Sequence, residues 1–386
     1  MDKKQQLQFN LNNFLLSISL ALDLVEKDIC NTKKNHSKRV AFIALKIGQR
    51  LNLTPQEMSD LCAYSLVHNI ALNKEKDYDK KHFELAQELV DKLPFLCGYK
   101  NVMKYHQENF DGTGVFGKVQ SEIPLFSQII SFAHHIDIDF DLTGEDIENR
   151  KGIVEFLGQN EELLFSKEIV DAFLDIASTV DFWLDIQSEH DILFFIFGSL
   201  HDFTITPTFE EVLEYTSIFM NLNDENEYFI GRCTKMAEFY EFEHKDKYTF
   251  LIAASLYNIG KLAVPNKILE KKEKLTSNEY EVVKAYPYYT KKILSNLIGF
   301  NDITNWASRA QETIDGEGYP YKLTGKDLSL KDRLLAVLNV YQSLRTKKSY
   351  REAYSHKTSI SMMRDLAKNK KIDISIVNDI ALELED

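Results

Sequence analysis

Five short segments of this chain recur in the same order in its second half, and that repetition limits the fold more than any other feature. HSKRVAFIALKIGQRL (36–51) shares a helical apolar pattern with NEYFIGRCTKMAEFYEF (226–242), and SLVHNIAL (65–72) matches SLYNIGKL (255–262). KHFELAQELVDKLP (81–94) pairs with AYPYYTKKILSNL (285–297), HQENFDGTGVF (106–116) with AQETIDGEGYP (310–320), and FSQIISFAHHID (126–137) with KDRLLAVLNVYQ (331–342). The first two pairs lie 189 or 190 residues apart and the other three 204 or 205. One insertion therefore separates them: AVPNKILEKKEKLTSNEYE (263–281), where the first copy has only NKEKDYDKK (73–81). Self-similarity at this period means a duplicated domain, and 386 residues suit two cores better than one.

Each copy reads as helical. Glycine (15) and proline (7) are sparse, and long stretches run without a helix breaker, so an all-α fold of two tandem bundles is expected. The first domain is expected over 1–185, a connection over 186–206 and the second domain over 207–386, where Thr206 or Thr208 beside Pro207 signals a helix start. The apolar run ILFFIFGSL (192–200) is too costly to expose, which predicts that the two domains pack together. It is also far short of the roughly 20 residues needed to span a bilayer, and no membrane insertion is expected. The opening MDKKQQLQFN lacks a following cleavage signal and leads into a first helix.

A formal net charge of −13 argues against a phosphate-backbone partner, while leaving room for a small phosphorylated ligand in a local pocket. Four cysteines without paired spacing indicate neither a disulfide framework nor a cysteine metal site, which fits a reducing cytoplasm.

The repeated motifs resemble those of the HD-GYP family of metal-dependent phosphohydrolases, over nearly the whole chain. That resemblance implies a helical bundle whose metal ligands are a first His, a His-Asp pair, a His opening a later helix, two adjacent His before a DGxGYP loop, and a final Asp. Carried over position by position, the first copy offers His36, His68 with Asn69 in place of the Asp, His82, His106 with Gln107 in place of the second His, and His134 in place of the final Asp. Half of the ten histidines thus fall on ligand positions. The second copy offers Asn226, Tyr257, Asn258, Tyr286, Ala310, Gln311 and Asn339, a set unsuited to a metal. It keeps Lys261 and the loop residues Asp315, Gly316, Gly318, Tyr319 and Pro320, where glycine and proline fix backbone shape.

With both acidic ligands replaced, the first copy is expected to hold at most one transition-metal ion (iron, zinc, manganese or nickel) and the second copy none. Glu108 and Asp111 are the nearby carboxylates that would add charge if they turned inward, although the resemblance implies supporting or loop-fixing roles for both, and Leu72 stands where the family has a lysine. The resemblance implies cyclic dinucleotide phosphodiesterase chemistry, weakened or lost here, or else a non-catalytic signalling module binding a nucleotide or a GGDEF-type protein partner.

Overall fold

The structure is a computed structural model that describes residues 7–144, 147–221, 228–347 and 351–385. Among these residues it is all-α, with no strand beyond two isolated bridges. The chain divides into two compact units, Asn10–Ile205 and Thr206–Asp386, the latter including the described residues 7–9. Among the described residues, no helix is long and apolar enough to cross a membrane.

The N-terminal unit runs α1 (Leu11–Cys30), α2 (His36–Arg50), α3 (Pro55–Leu66), α4 (Lys80–Val90), α5 (Leu125–Asp139), α6 (Ile147–Asn160), α7 (Lys167–Ala177), α8 (Val180–Asp185) and α9 (Glu189–Ser199). Local sequence sets several of these starts. Asn10 caps α1 through the amide of Asn13, and Thr54 and Glu57 form a reciprocal capping box ahead of Pro55 in α3. Asp79 accepts from the amides of Lys81 and His82, which fixes His82 in the first turn of α4. Helix α2 is the hub: it packs on α1, α3, α5, α7 and α9 and is buried along almost its whole length. Residues 189–199, inside the stretch read as a connection, form α9 against α2.

The C-terminal unit repeats the plan with α10 (Phe209–Asn221), α11 (Tyr228–Phe239), α12 (His244–Leu256), α13 (Asn266–Leu269), α14 (Ser277–Lys284), α15 (Tyr286–Leu294), α16 (Asn301–Ser308), α17 (Leu330–Arg345), α18 (His356–Lys368) and α19 (Ile374–Glu383). Thr208 accepts from the amide of Glu211 at the start of α10. The inserted segment 263–281 supplies α13 and the first part of α14. Asn226 lies outside the described residues.

The DG-containing loop is built alike in both units. Buried Glu108 accepts from the amides of Phe116 (2.8 Å) and Lys118 (2.7 Å), and buried Glu312 accepts from those of Tyr321 (2.7 Å) and Leu323 (2.9 Å). A side chain at Gly114 or Gly318 would collide with backbone, 2.9 Å from the Asn109 nitrogen in one loop and 2.4 Å from the Thr313 nitrogen in the other. Gly112 and Gly316 both hold positive φ, +88° and +80°.

Candidate metal centre

Four segments of the N-terminal unit converge on a buried polar cluster. Helix α1 contributes Asp23 and Glu26, the first residue of α2 is His36, the turn after α3 carries His68 and Asn69, and α5 carries His134 and Asp137. The Ser37 amide donates to Asp23 at 2.9 Å, tying the start of α2 to α1. Three imidazole nitrogens meet at the centre: His36 Nε2 lies 3.2 Å from His68 Nε2 and 3.3 Å from His134 Nδ1, and the latter two are 3.1 Å apart. Glu26 Oε1 lies 3.3 Å from His36 Nε2 and 3.9 Å from His68 Nε2.

These separations suit ligands about one ion. Metal–nitrogen bonds of about 2.0–2.1 Å place neighbouring ligand atoms roughly 2.8–3.0 Å apart in octahedral and roughly 3.3–3.4 Å apart in tetrahedral geometry. All four ligand atoms lie within 4.8 Å of one another, and all four residues are buried. The outer nitrogens are held as a metal site requires. His36 Nδ1 meets Asp137 Oδ2 at 2.6 Å, and His68 Nδ1 donates to the Ser65 carbonyl at 2.8 Å, leaving its Nε2 lone pair facing inward. Asp137 is itself gripped by both forks of the Arg39 guanidinium.

Burial pushes the Glu26 carboxyl up to about 7, against the pull of His36. Burial also opposes charge on His36, but Glu26 and Asp137 outweigh it and lift that imidazole to about 9. His68 and His134 are driven well below the usual histidine range, first by burial and then by neighbouring imidazoles. Without metal, a proton on His36 thus occupies the cation's place, and binding an ion must release it.

The other expected positions divide. His82 and His106 are buried, and each donates Nδ1 to a backbone carbonyl, of Glu75 (2.7 Å) and Met103 (2.8 Å). Their Nε2 atoms, and Glu26 Oε2, have no hydrogen-bond partner among the described residues. The His106 ring lies 6.2 Å from that of His68, beside the central cluster rather than in it. Asn69 turns its amide nitrogen inward, toward Glu26 and to 2.9 Å from His68 Nε2, while Tyr78 donates to its oxygen at 3.4 Å. Gln107 touches the far side of His134, 3.4 Å from Nε2.

One expectation needs correction, and of the two roles open to Glu108 and Asp111 the loop-fixing one holds. The cluster does not lack carboxylates: Glu26 faces the imidazoles directly and Asp137 backs His36. Glu108 and Asp111 do not turn inward, because Glu108 is spent on loop amides and exposed Asp111 caps Thr113. A signal for Glu26 was present in the sequence. It continues the stripe Leu15, Ile18 and Leu22 of α1, where an acid would otherwise be avoided.

In the C-terminal unit the matching positions are filled with aromatic and amide groups. Tyr257 and Tyr286 are buried; Tyr257 packs on Phe229 with ring centroids 5.1 Å apart, and the Tyr286 hydroxyl accepts from Gln311 at 2.8 Å. Tyr286 joins Val264 and Ile268 in an apolar cluster that Tyr319 packs against. Asn339 donates to the Ala310 carbonyl at 3.4 Å. Gly260 is obligatory beside Tyr286, since a Cβ there would stand 2.0 Å from the Tyr286 carbonyl oxygen. Lys261 lies with its ammonium 5.5 Å from the centre of the Tyr286 ring, and Lys371 pairs with Asp315 at 2.7 Å.

The chain is thus a duplicated helical bundle with an imidazole–carboxylate cluster that could hold a metal ion at the core of one copy. The HD domain family model matches residues 23–138 and 209–376, one stretch in each unit, and the chain belongs to that family. It is 23% identical to a 3′3′-cGAMP-specific phosphodiesterase of Vibrio cholerae, over 95% of this chain and 90% of that protein. A cyclic di-GMP phosphodiesterase of Borreliella burgdorferi is 33% identical over 33% of this chain and 35% of its own length. A solved cyclic GMP-AMP phosphodiesterase of V. cholerae superposes with a TM-score of 0.66 over 98% of both chains at 18% identity, a likeness of fold.

Proposed function

We propose that this protein is a cyclic dinucleotide phosphodiesterase homologue whose N-terminal unit binds a single transition-metal ion through His36, His68, His134 and Glu26, and whose hydrolytic activity is weak or lost. The observation that carries this reading is the convergence of three imidazole nitrogens within 3.1–3.3 Å of one another beside a buried carboxylate. The ligand class comes from the substrates in the names of the relatives. Imidazole with one carboxylate suits iron, zinc, manganese or nickel rather than calcium or magnesium. Such an ion, once bound, supplies Lewis acidity toward water and a phosphoryl oxygen.

The chain's own residues limit that chemistry. Asn69 brings no negative charge to link the central cluster to His82 and His106, so a second dication there would meet imidazoles without compensation. Leu72, fully buried, offers no ammonium to a phosphate. Asp137 and Arg39 orient His36, and the Ser65 carbonyl orients His68. A non-catalytic reading is favoured for the C-terminal unit, where Tyr257 and Tyr286 occupy the ligand positions.

Elemental analysis of the purified protein, with cyclic di-GMP and cyclic GMP-AMP turnover followed under added iron, manganese or zinc, tests both parts. About one ion per chain with little or no linear product is expected. Rapid turnover lost in His68→Ala and His106→Ala would overturn the claim of weakened catalysis, and absence of metal from wild-type protein would overturn the centre itself.

A further inference from the structure

Helices α6, α7 and α8 of the N-terminal unit enclose a cleft of about 390 Å³ that the metal centre does not use. Its walls are mostly apolar, with Ser178 and Thr179 in the turn between α7 and α8. Ile153 and Phe173 are buried within it, and Val154 and Val180 stand exposed at its rim. Trp183 closes one side, its indole N–H engaged by the Ala177 carbonyl at 2.8 Å, so the ring offers only its carbon surface. The Arg150 guanidinium lies over that ring, 4.9 Å from its centre.

Arg150 is the unexplained group. It has no carboxylate and no hydrogen-bond acceptor among the described residues, in a chain of net charge −13. Among the described residues, two acids next to the cleft-lining segments are committed elsewhere: Asp175 pairs with Arg50, and Asp181 bonds to Thr179. A guanidinium stacked on an indole is oriented and only partly desolvated, with its donors directed outward for a planar acceptor.

We propose that this cleft binds a monoanionic amphiphile of the medium-chain carboxylate class, with its apolar body between Ile153, Phe173 and Trp183 and its carboxylate on Arg150. The volume holds about a dozen heavy atoms at roughly 30 Å³ each, near the lower end of ligand pockets. One planar fork satisfies one carboxylate with two parallel hydrogen bonds. A cyclic dinucleotide is a poorer match, because its two phosphates would meet a single cation amid an acid excess.

The test uses full-length protein carrying Trp306→Phe, which leaves Trp183 as the sole indole of a chain with two tryptophans. Octanoate, octanol and inorganic phosphate are titrated against Trp183 emission, with calorimetry on wild-type protein as a second measure. Saturable octanoate binding is expected, about tenfold tighter than octanol, with no response to phosphate. Arg150→Ala should weaken octanoate about tenfold, and Val154→Asp at the rim should do so by repulsion while leaving the unfolding midpoint unchanged. Equal affinity for octanol and octanoate, undiminished binding in both variants, or no saturable signal would each overturn the proposal.

Discussion

The two units share a loop and differ at the core beside it. Glu108 and Glu312 each fasten that loop through two backbone amides, shifted one residue further along in the second unit, where Pro320 stands opposite Phe116 and has no N–H, and Gly114 and Gly318 permit the same close approach. Next to that loop, the N-terminal unit buries His36, His68, His134 and Glu26, whereas the C-terminal unit buries Tyr257 and Tyr286. The loop is kept by backbone geometry that either core can use. The core is free to exchange an electrostatically costly polar cluster for aromatic packing, because buried imidazoles and a carboxylate are favourable only with an ion or a proton among them.

The strongest way to break this comparison is to look for metal in the wrong half. His36→Ala or His68→Ala should reduce bound metal from about one ion per chain to below about a tenth, since each removes a direct ligand. Tyr257→Ala should leave metal content unchanged, and elemental analysis of the three variants decides it. The converse change sharpens the charge argument: Asn69→Asp should raise the stoichiometry toward two ions by recruiting His82 and His106, and unchanged stoichiometry would show that charge was not the limit.

Stability gives the next largest contrasts. Tyr286→Ala should cost about 3–5 kcal/mol in urea unfolding by opening a cavity in the C-terminal unit, with metal content intact. In metal-stripped protein the N-terminal unit should instead show acid sensitivity. Burial lowers His106 from 6.5 to about 4, so the folded state resists a proton that the unfolded chain accepts. The His106 contribution is therefore fully present above pH 6.5 and is lost as pH falls toward about 4, by about 3 kcal/mol in all, whereas His36 and Glu26, both raised, contribute in the opposite sense as pH rises. His106→Gln should flatten that slope, and an unchanged slope would contradict the assignment. The smallest effect should be symmetric: Glu108→Ala and Glu312→Ala should each cost about 2 kcal/mol in their own unit, and a marked asymmetry would mean that the shared loop serves different ends in the two halves.

Much of this was legible in the chain itself. The duplicated motifs, the helix start at Thr208 and the loop glycines act through neighbours a few residues away, so their consequences can be read locally. The five histidines of the first half could be assigned as a set for the same reason, each standing inside a recognisable segment. The aromatic filling of the second half was equally plain from Tyr257 and Tyr286.

Tertiary structure alone decided which of those histidines share one point and which acids join them. His36, His68 and His134 meet across 98 residues of sequence while His82 and His106 stand aside, a distinction set by how α2, α3 and α5 cross. The apolar stripe of α1 marks Glu26 as inward-facing but not what it will face, and Asp137 on α5 resembles the many carboxylates on helix surfaces until packing buries it. A carboxylate's role depends on the dielectric and the charges around it, and those come from chain segments that local sequence does not specify.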